Sequence, residues 1–270
     1  VLWNGRDPIL KERLFGLSGP EGNHGEDVKE SYFYLDATPT YSYAKALYKY
    51  PQNRFPYDEL VAENARRDAS EPEYEIEHTG IFSEGRYFDV FVEYAKSTPE
   101  DLLIKISVHN RGPEPASLHL LPTLWLRNTW NSGSSHERNW PKPRLFCSDE
   151  SVYVEHFSLG HFLLYAEDDQ GHHPQWLFTD NETRHPGDST PRYGKDAFHR
   201  YLIDGDSKSI NPREEGSKAA ALFECEVPSG EAHIFRLRLV RREERPHSPF
   251  DTSFDSVIAV SYTHLTLPTT

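Results

Sequence analysis

The 270-residue chain carries 43 acidic against 29 basic side chains, a net charge of −14, which argues against binding to nucleic acid or to an anionic membrane surface. Hydrophobic residues make up only 36%, but aromatic residues reach 13%, enough for a real core, and this excludes long disorder. No apolar run approaches the ~20 residues that span a bilayer, and Cys147 and Cys225 are too few for a disulfide framework, which favours a reducing, cytoplasmic setting while leaving a single bridge open.

Sixteen Gly and 20 Pro spread along the chain suit a turn-rich β fold. Residues 1–31 read as irregular, punctuated by Gly5, Gly16, Gly19, Gly22 and Gly25. The opening on Val1 and the lack of any Met lead us to expect a natural start upstream. Tyr32-Phe-Tyr-Leu35 reads as a buried strand. Leu60, Val61 and Asn64, behind Pro56, predict a short helix over Tyr57–Arg67.

The strongest pattern begins at Phe88. Phe88, Val90, Val92 and Tyr94 alternate with polar residues, as do Leu102, Ile104, Ile106 and Val108, the period of a strand with one buried face. Asn110-Arg-Gly-Pro113 supplies a turn, after which Leu118, Leu120, Leu124 and Leu126 return on one face as a hairpin. A second hairpin joins Val152-Tyr-Val154 to Phe162-Leu-Leu-Tyr165 around Gly160. A third joins Ala221, Phe223, Cys225 and Val227 to Phe235, Leu237 and Leu239 through Pro228-Ser-Gly-Glu231. Residues 168–218 are polar and loop-rich, with short strands such as Trp176-Leu-Phe178. Strands with one apolar face each must pair those faces. The fold is therefore mainly β, an antiparallel β-sandwich with long loops and few short helices. The tail from Val260 to Thr270 resembles translated sequencing-adapter sequence and is set aside, leaving 1–259 as the natural region.

Motifs for nucleotide binding, zinc proteolysis, Cys-x-x-Cys metal sites and serine nucleophile elbows are all missing. The loop Gly22–Glu30 concentrates His24, Glu26, Asp27 and Lys29, which suits either sugar hydroxyls or an ordinary solvated turn. In Leu124-Trp-Leu-Arg-Asn-Thr-Trp130, strand parity puts Leu124 and Leu126 toward the core and Trp125, Arg127 and Thr129 on the other side. An indole beside a guanidinium suits a pyranose ring, and equally a packed neighbour. The adjacent acids Glu26–Asp27, Asp168–Asp169 and Glu214–Glu215 point apart in extended chain, so none makes a catalytic pair. His172 and His173, with His185 nearby, match no standard metal spacing, and no metal or cofactor is expected. Asn181-Glu-Thr183 is a formal glycosylation acceptor, relevant only in a secreted chain.

An ordered series of stretches carries a family resemblance. It runs through Trp3-Asn-Gly-Arg-Asp-Pro8, Lys11-Glu-Arg-Leu-Phe-Gly16, Gly22-Asn-His-Gly-Glu-Asp-Val-Lys-Glu30 and Tyr32-Phe-Tyr-Leu-Asp-Ala-Thr-Pro39. It continues with Tyr48-Lys-Tyr-Pro51, the segment Leu120–Trp130 and Gly216-Ser-Lys-Ala-Ala220. Across residues 1–259 the chain resembles the amino-terminal region of bacterial glycoside hydrolases of family 63, related to processing α-glucosidase I.

The resemblance implies a super-sandwich followed by a carboxy-terminal (α/α)6 barrel that hydrolyses α-linked oligosaccharides or glycosides with inversion. The acid and base would lie in that barrel, beyond Ala259, so no catalytic residue is assigned here and the chain alone is expected to be inactive. His24, Glu26, Asp27, Trp125, Arg127 and Trp130 are the expected contributors to a substrate rim or domain interface. Carbohydrate and the barrel are the expected partners, with no nucleic acid and no membrane. The alternative is a non-catalytic carbohydrate-binding or interaction module.

Overall fold

The computed structural model describes residues 1–17, 28–68, 70–130, 140–183 and 193–266, without the side chains of 262–266. In chain order the strands and helices are β1 (Leu2–Trp3), β2 (Tyr32–Ala37), β3 (Tyr43–Pro51), α1 (Tyr57–Arg66), β4 (Tyr87–Thr98) and β5 (Asp101–Asn110). There follow β6 (Ala116–Leu120), β7 (Thr123–Trp125), β8 (Arg144–Ser148), β9 (Ser151–His156), β10 (Gly160–Asp168) and β11 (Gln175–Thr179). The remainder is α2 (Ala197–Leu202), β12 (Glu215–Gly216), β13 (Lys218–Val227), β14 (Ala232–Arg241) and α3 (Thr252–Thr266).

Two antiparallel sheets face one another. The larger has nine strands in the order β12-β8-β9-β10-β14-β5-β4-β3-β2, and the smaller has five, β1-β6-β13-β11 with β7 also on β13. The mainly β sandwich read from alternation is the observed fold. Phe88, Val90, Ile106, Val108, Phe235 and Leu237 on the large sheet meet Leu118, Leu120, Ala219, Ala221 and Phe223 on the small one in a single core. β9 and β10 form the second expected hairpin, with His156 opposite Gly160.

The other two expected hairpins are corrected by the topology. β4 pairs with β5, but β6 pairs with β1 and β13 in the opposite sheet. β13 and β14 likewise lie in different sheets, β14 sitting between β10 and β5. Both turns therefore cross the sandwich. Alternation identifies the apolar face of a strand, and that face is buried equally well beside its sequence neighbour or across from it. The two crossings are tied together by the buried Asn110, whose Nδ2 donates to Glu114 O at 2.7 Å and Val227 O at 2.9 Å. Its Oδ1 accepts from Gly112 N at 2.8 Å and Gln52 Nε2 at 2.6 Å, so every polar valence of this side chain is used.

The Tyr32–Leu35 strand is at the edge of the large sheet and is not buried: Tyr34 is 85% exposed. α1 matches the predicted short helix and inserts Leu60 beside Phe55 and Ile76. α3 has no counterpart in the sequence reading. It packs Phe254 and Ile258 on Tyr43, Ala95 and Leu103, the outer face of the large sheet, and extends into the tail set aside above. Asp101 and Arg238 form a buried two-bonded ion pair on the same side, at 2.9 and 2.6 Å. Cys147 and Cys225 are free thiols. Among the described residues, no helix is long and apolar enough to cross a membrane.

Candidate functional site

Burial fades in one direction along the inner face of the large sheet. On β4, Phe88 and Val90 are buried, Val92 is half-buried and Tyr94 is 42% exposed. On β5, Val108 and Ile106 are buried whereas Ile104 and Leu102 are only partly covered; on β14, Leu237 is buried and Leu239 half-exposed. Registers Tyr94↔Ile104 and Leu239↔Leu102 place these less covered residues together at one end of the sandwich. Opposite them the small sheet covers this end only in part: β6 has five residues and β7 three, while β13 has ten, as do β5 and β14.

The uncovered end forms an apolar groove of about 380 Å³ between the sheets. It shares Val92 and Tyr94 with a shallower hollow of about 520 Å³ bounded by Tyr34, Leu35 and Tyr41. A sheet face built for water alternates to polar residues. This face stays apolar to its end and leaves contiguous apolar surface partly open.

The groove has a polar rim. Glu12 reaches in from the N-terminal segment and pairs with the buried Lys218, whose Nζ also donates to Lys195 O at 3.2 Å. Trp125, opposite Lys218 in the β7–β13 register, projects from the rim and is 57% exposed. Tyr48 lines the floor, and burial, then the Glu30 carboxylate beside it, raises its hydroxyl well above the ordinary phenol value. Behind Tyr48 lies the Lys11–Glu30 ion pair at 2.7 Å. The Lys11 ammonium also sits over the Phe55 ring at 3.8 Å and is depressed by burial, against the pull of Glu30.

Of the six residues expected at a rim or interface, Trp125 and Arg127 are exposed and Leu124 and Leu126 pack on the core, as strand parity requires. Trp130 is anchored instead of free. Its Nε1 donates to Glu182 Oε1 at 2.6 Å, and Lys142 bridges Glu182 at 3.0 Å and Asp180 at 2.9 Å. Burial works against the Lys142 charge, but hydrogen bonds and attraction from Asp180 and Glu182 outweigh it and hold its pKa above the usual value. His24, Glu26 and Asp27 lie outside the described residues, as does His185. Asn181 is unsuited to glycosylation where it stands: it is buried, and its Nδ2 donates to Leu126 O at 2.8 Å.

Tyr94 and Leu239 entered the sequence reading only as strand core, and Glu12 and Lys218 only within the motifs that carry the resemblance. Alternation reads every apolar residue on the inner face as core, and only the packed sheets show which are left open. Glu12 is the one carboxylate lining the groove among the described residues, whereas inversion of a glycosidic bond needs two acids roughly 6.5–9.5 Å apart. The described lining of the groove does not supply such a pair. A larger hollow of about 700 Å³ lies on the outer face and mixes Glu150 and Glu167 with Arg242 and Arg245, so its charges do not converge on one ligand sign.

No protein-family profile matches the chain. It is 39% identical over 267 residues to an uncharacterized protein of Saccharomyces cerevisiae, the match taking in 86% of this chain and 24% of that protein. Among solved structures it is similar to a polysaccharide lyase, at 12% identity and a TM-score of 0.39, over 79% of this chain and 23% of the other. It is also similar to a protein provisionally assigned as a kojibiose phosphorylase from the human microbiome, at 7% identity and a TM-score of 0.32, over 66% and 19%. Likenesses this distant assign no chemistry. The chain spans about a quarter of the length of the yeast relative it matches.

Proposed function

We propose that this chain is the amino-terminal sandwich of a larger inverting glycoside hydrolase of the family 63 type, acting on α-linked oligosaccharides or glycosides. Its groove seats the catalytic helical barrel. The observation that carries the reading is the apolar end of the large sheet, where Tyr94, Ile104 and Leu239 are incompletely covered by the opposing sheet. The ordered motifs between Trp3 and Ala220 support the family, and the fourfold greater length of the yeast relative supports a further body to cover the face. In that body a protonated carboxyl would assist the leaving group while a carboxylate activates water on the opposite side of the ring.

The test compares the isolated chain with the longer protein on a panel of α-glucosides. Turnover is expected only in the longer form, and turnover by the isolated chain would refute the division of labour. Tyr94→Asp in the longer protein should weaken barrel docking and lower activity, while leaving the isolated chain folded. A second reading, a carbohydrate-binding module, draws on the exposure of Trp125. Saturable binding of an oligosaccharide to the isolated chain, abolished by Trp125→Ala, would favour it.

A further inference from the structure

Asp168, Asp169 and His233 place three ligand atoms within 4.8 Å of one another, the one such group of His, Cys, Asp or Glu found among the described residues. We propose that these three residues form a zinc-binding site at the end of the β10–β14 pair, the remaining position being filled by water. His233 Nε2 stands 3.3 Å from Asp168 Oδ2 and 3.1 Å from Asp169 Oδ1. His172 Nδ1 stands 3.0 Å from the same Asp168 oxygen. Zinc bonds of ~2.0–2.2 Å in a tetrahedron hold neighbouring ligand atoms roughly 3.4 Å apart. The two His233 separations, 3.3 and 3.1 Å, are within a few tenths of an ångström of that figure.

The surrounding structure orients the ligands. Asp168 Oδ1 accepts from Gln170 N at 2.9 Å and His172 N at 2.8 Å, which fixes the carboxylate and turns Oδ2 toward the two imidazoles. The turn closes through Gly171 at φ 81°, a conformation that favours glycine. Asp169 N donates to Ile234 O at 2.8 Å, holding the second carboxylate against β14. The His233 ring stacks on Phe235 with centroids 4.6 Å apart. Such supporting contacts preset a metal site.

One imidazole and two carboxylates are the N/O donors of a borderline divalent ion, and the two negative charges balance it. Asp168 is nearly enclosed, while the Asp169 side chain is 37% exposed, which leaves an entry path from solvent. The sequence hides this arrangement twice. Adjacent acids point apart within a strand, but Asp168 ends β10 and Asp169 opens the turn; and His233 reaches the pair only through sheet pairing.

The test is calorimetric titration of the chelator-stripped full chain with zinc ions, with cobalt(II) absorption as a report on geometry. One equivalent and a tetrahedral cobalt spectrum are expected. His233→Gln and Asp169→Asn, the latter at an exposed position that spares the fold, should each weaken uptake roughly 10- to 100-fold. His161→Gln, elsewhere on β10, should change nothing. Absence of saturable uptake, or uptake that both site variants retain in full, would overturn the proposal.

Discussion

Leu237 and Leu239 allow a direct test of the half-covered sandwich. They are the same residue type on the same face of β14, two positions apart; Leu237 is 2% exposed and Leu239 opens into the groove. Leu237→Ala removes a fully packed side chain from the floor of the groove and leaves its core neighbours without contacts, at a cost of about 3 kcal/mol. Leu239→Ala removes a side chain that is already half open to the groove. Only the partial transfer of its carbons is lost, roughly 1 kcal/mol. The difference of ~2 kcal/mol is roughly thirtyfold in the unfolding equilibrium. Urea denaturation of the isolated chain at constant slope would read it directly. In the longer protein, a barrel seated on the groove should raise the cost of Leu239→Ala toward that of Leu237→Ala. Equal costs in the isolated chain would mean that the face is already enclosed, and an unchanged Leu239 cost in the longer protein would mean that nothing docks there.

Two further measurements probe the electrostatics. Burial alone would raise the Asp89 carboxyl, but hydrogen bonds from Lys49 at 2.6 Å and Arg111 at 2.7 Å outweigh it and hold the group below its ordinary value of 3.8. A carboxylate depressed in the folded state stabilises fully above its unfolded pKa, and that stability fades as pH falls through the folded one. Asp89→Asn should therefore flatten the decline of the urea midpoint below about pH 4; a decline as steep as in the unaltered chain would show that this cluster is not linked to acid unfolding. Burial, followed by the charge of Asp168, pushes the Cys225 thiol up to about 12, while Cys147 is raised by burial and Glu214 but remains less enclosed. Iodoacetamide in mild alkali should thus label Cys147 first and Cys225 only on unfolding, as read by mass spectrometry. Simultaneous labelling would contradict the packing around Cys225.

Much of the architecture was legible in the chain. The alternation at Phe88–Tyr94, Leu102–Val108, Ala221–Val227 and Phe235–Leu239 identified real strands and their apolar faces, because a pleated backbone turns successive side chains to opposite sides. Parity also placed Leu124 and Leu126 inward and Trp125 outward. The charge balance, the short helix at Tyr57 and the hairpin around Gly160 needed no more than local reading. All of these rest on interactions between residues close along the chain.

Tertiary structure decided the rest. Which sheet receives β6 and β14 depends on two turns locked together through Asn110, a contact between segments more than a hundred residues apart. The groove exists because the two sheets cover one another incompletely at one end of the sandwich, and no single strand contains that comparison. The acid pair at Asp168 meets His233 only where two strands end side by side. Periodicity tells a side chain which way to point; only the packed sheets determine what it finds there.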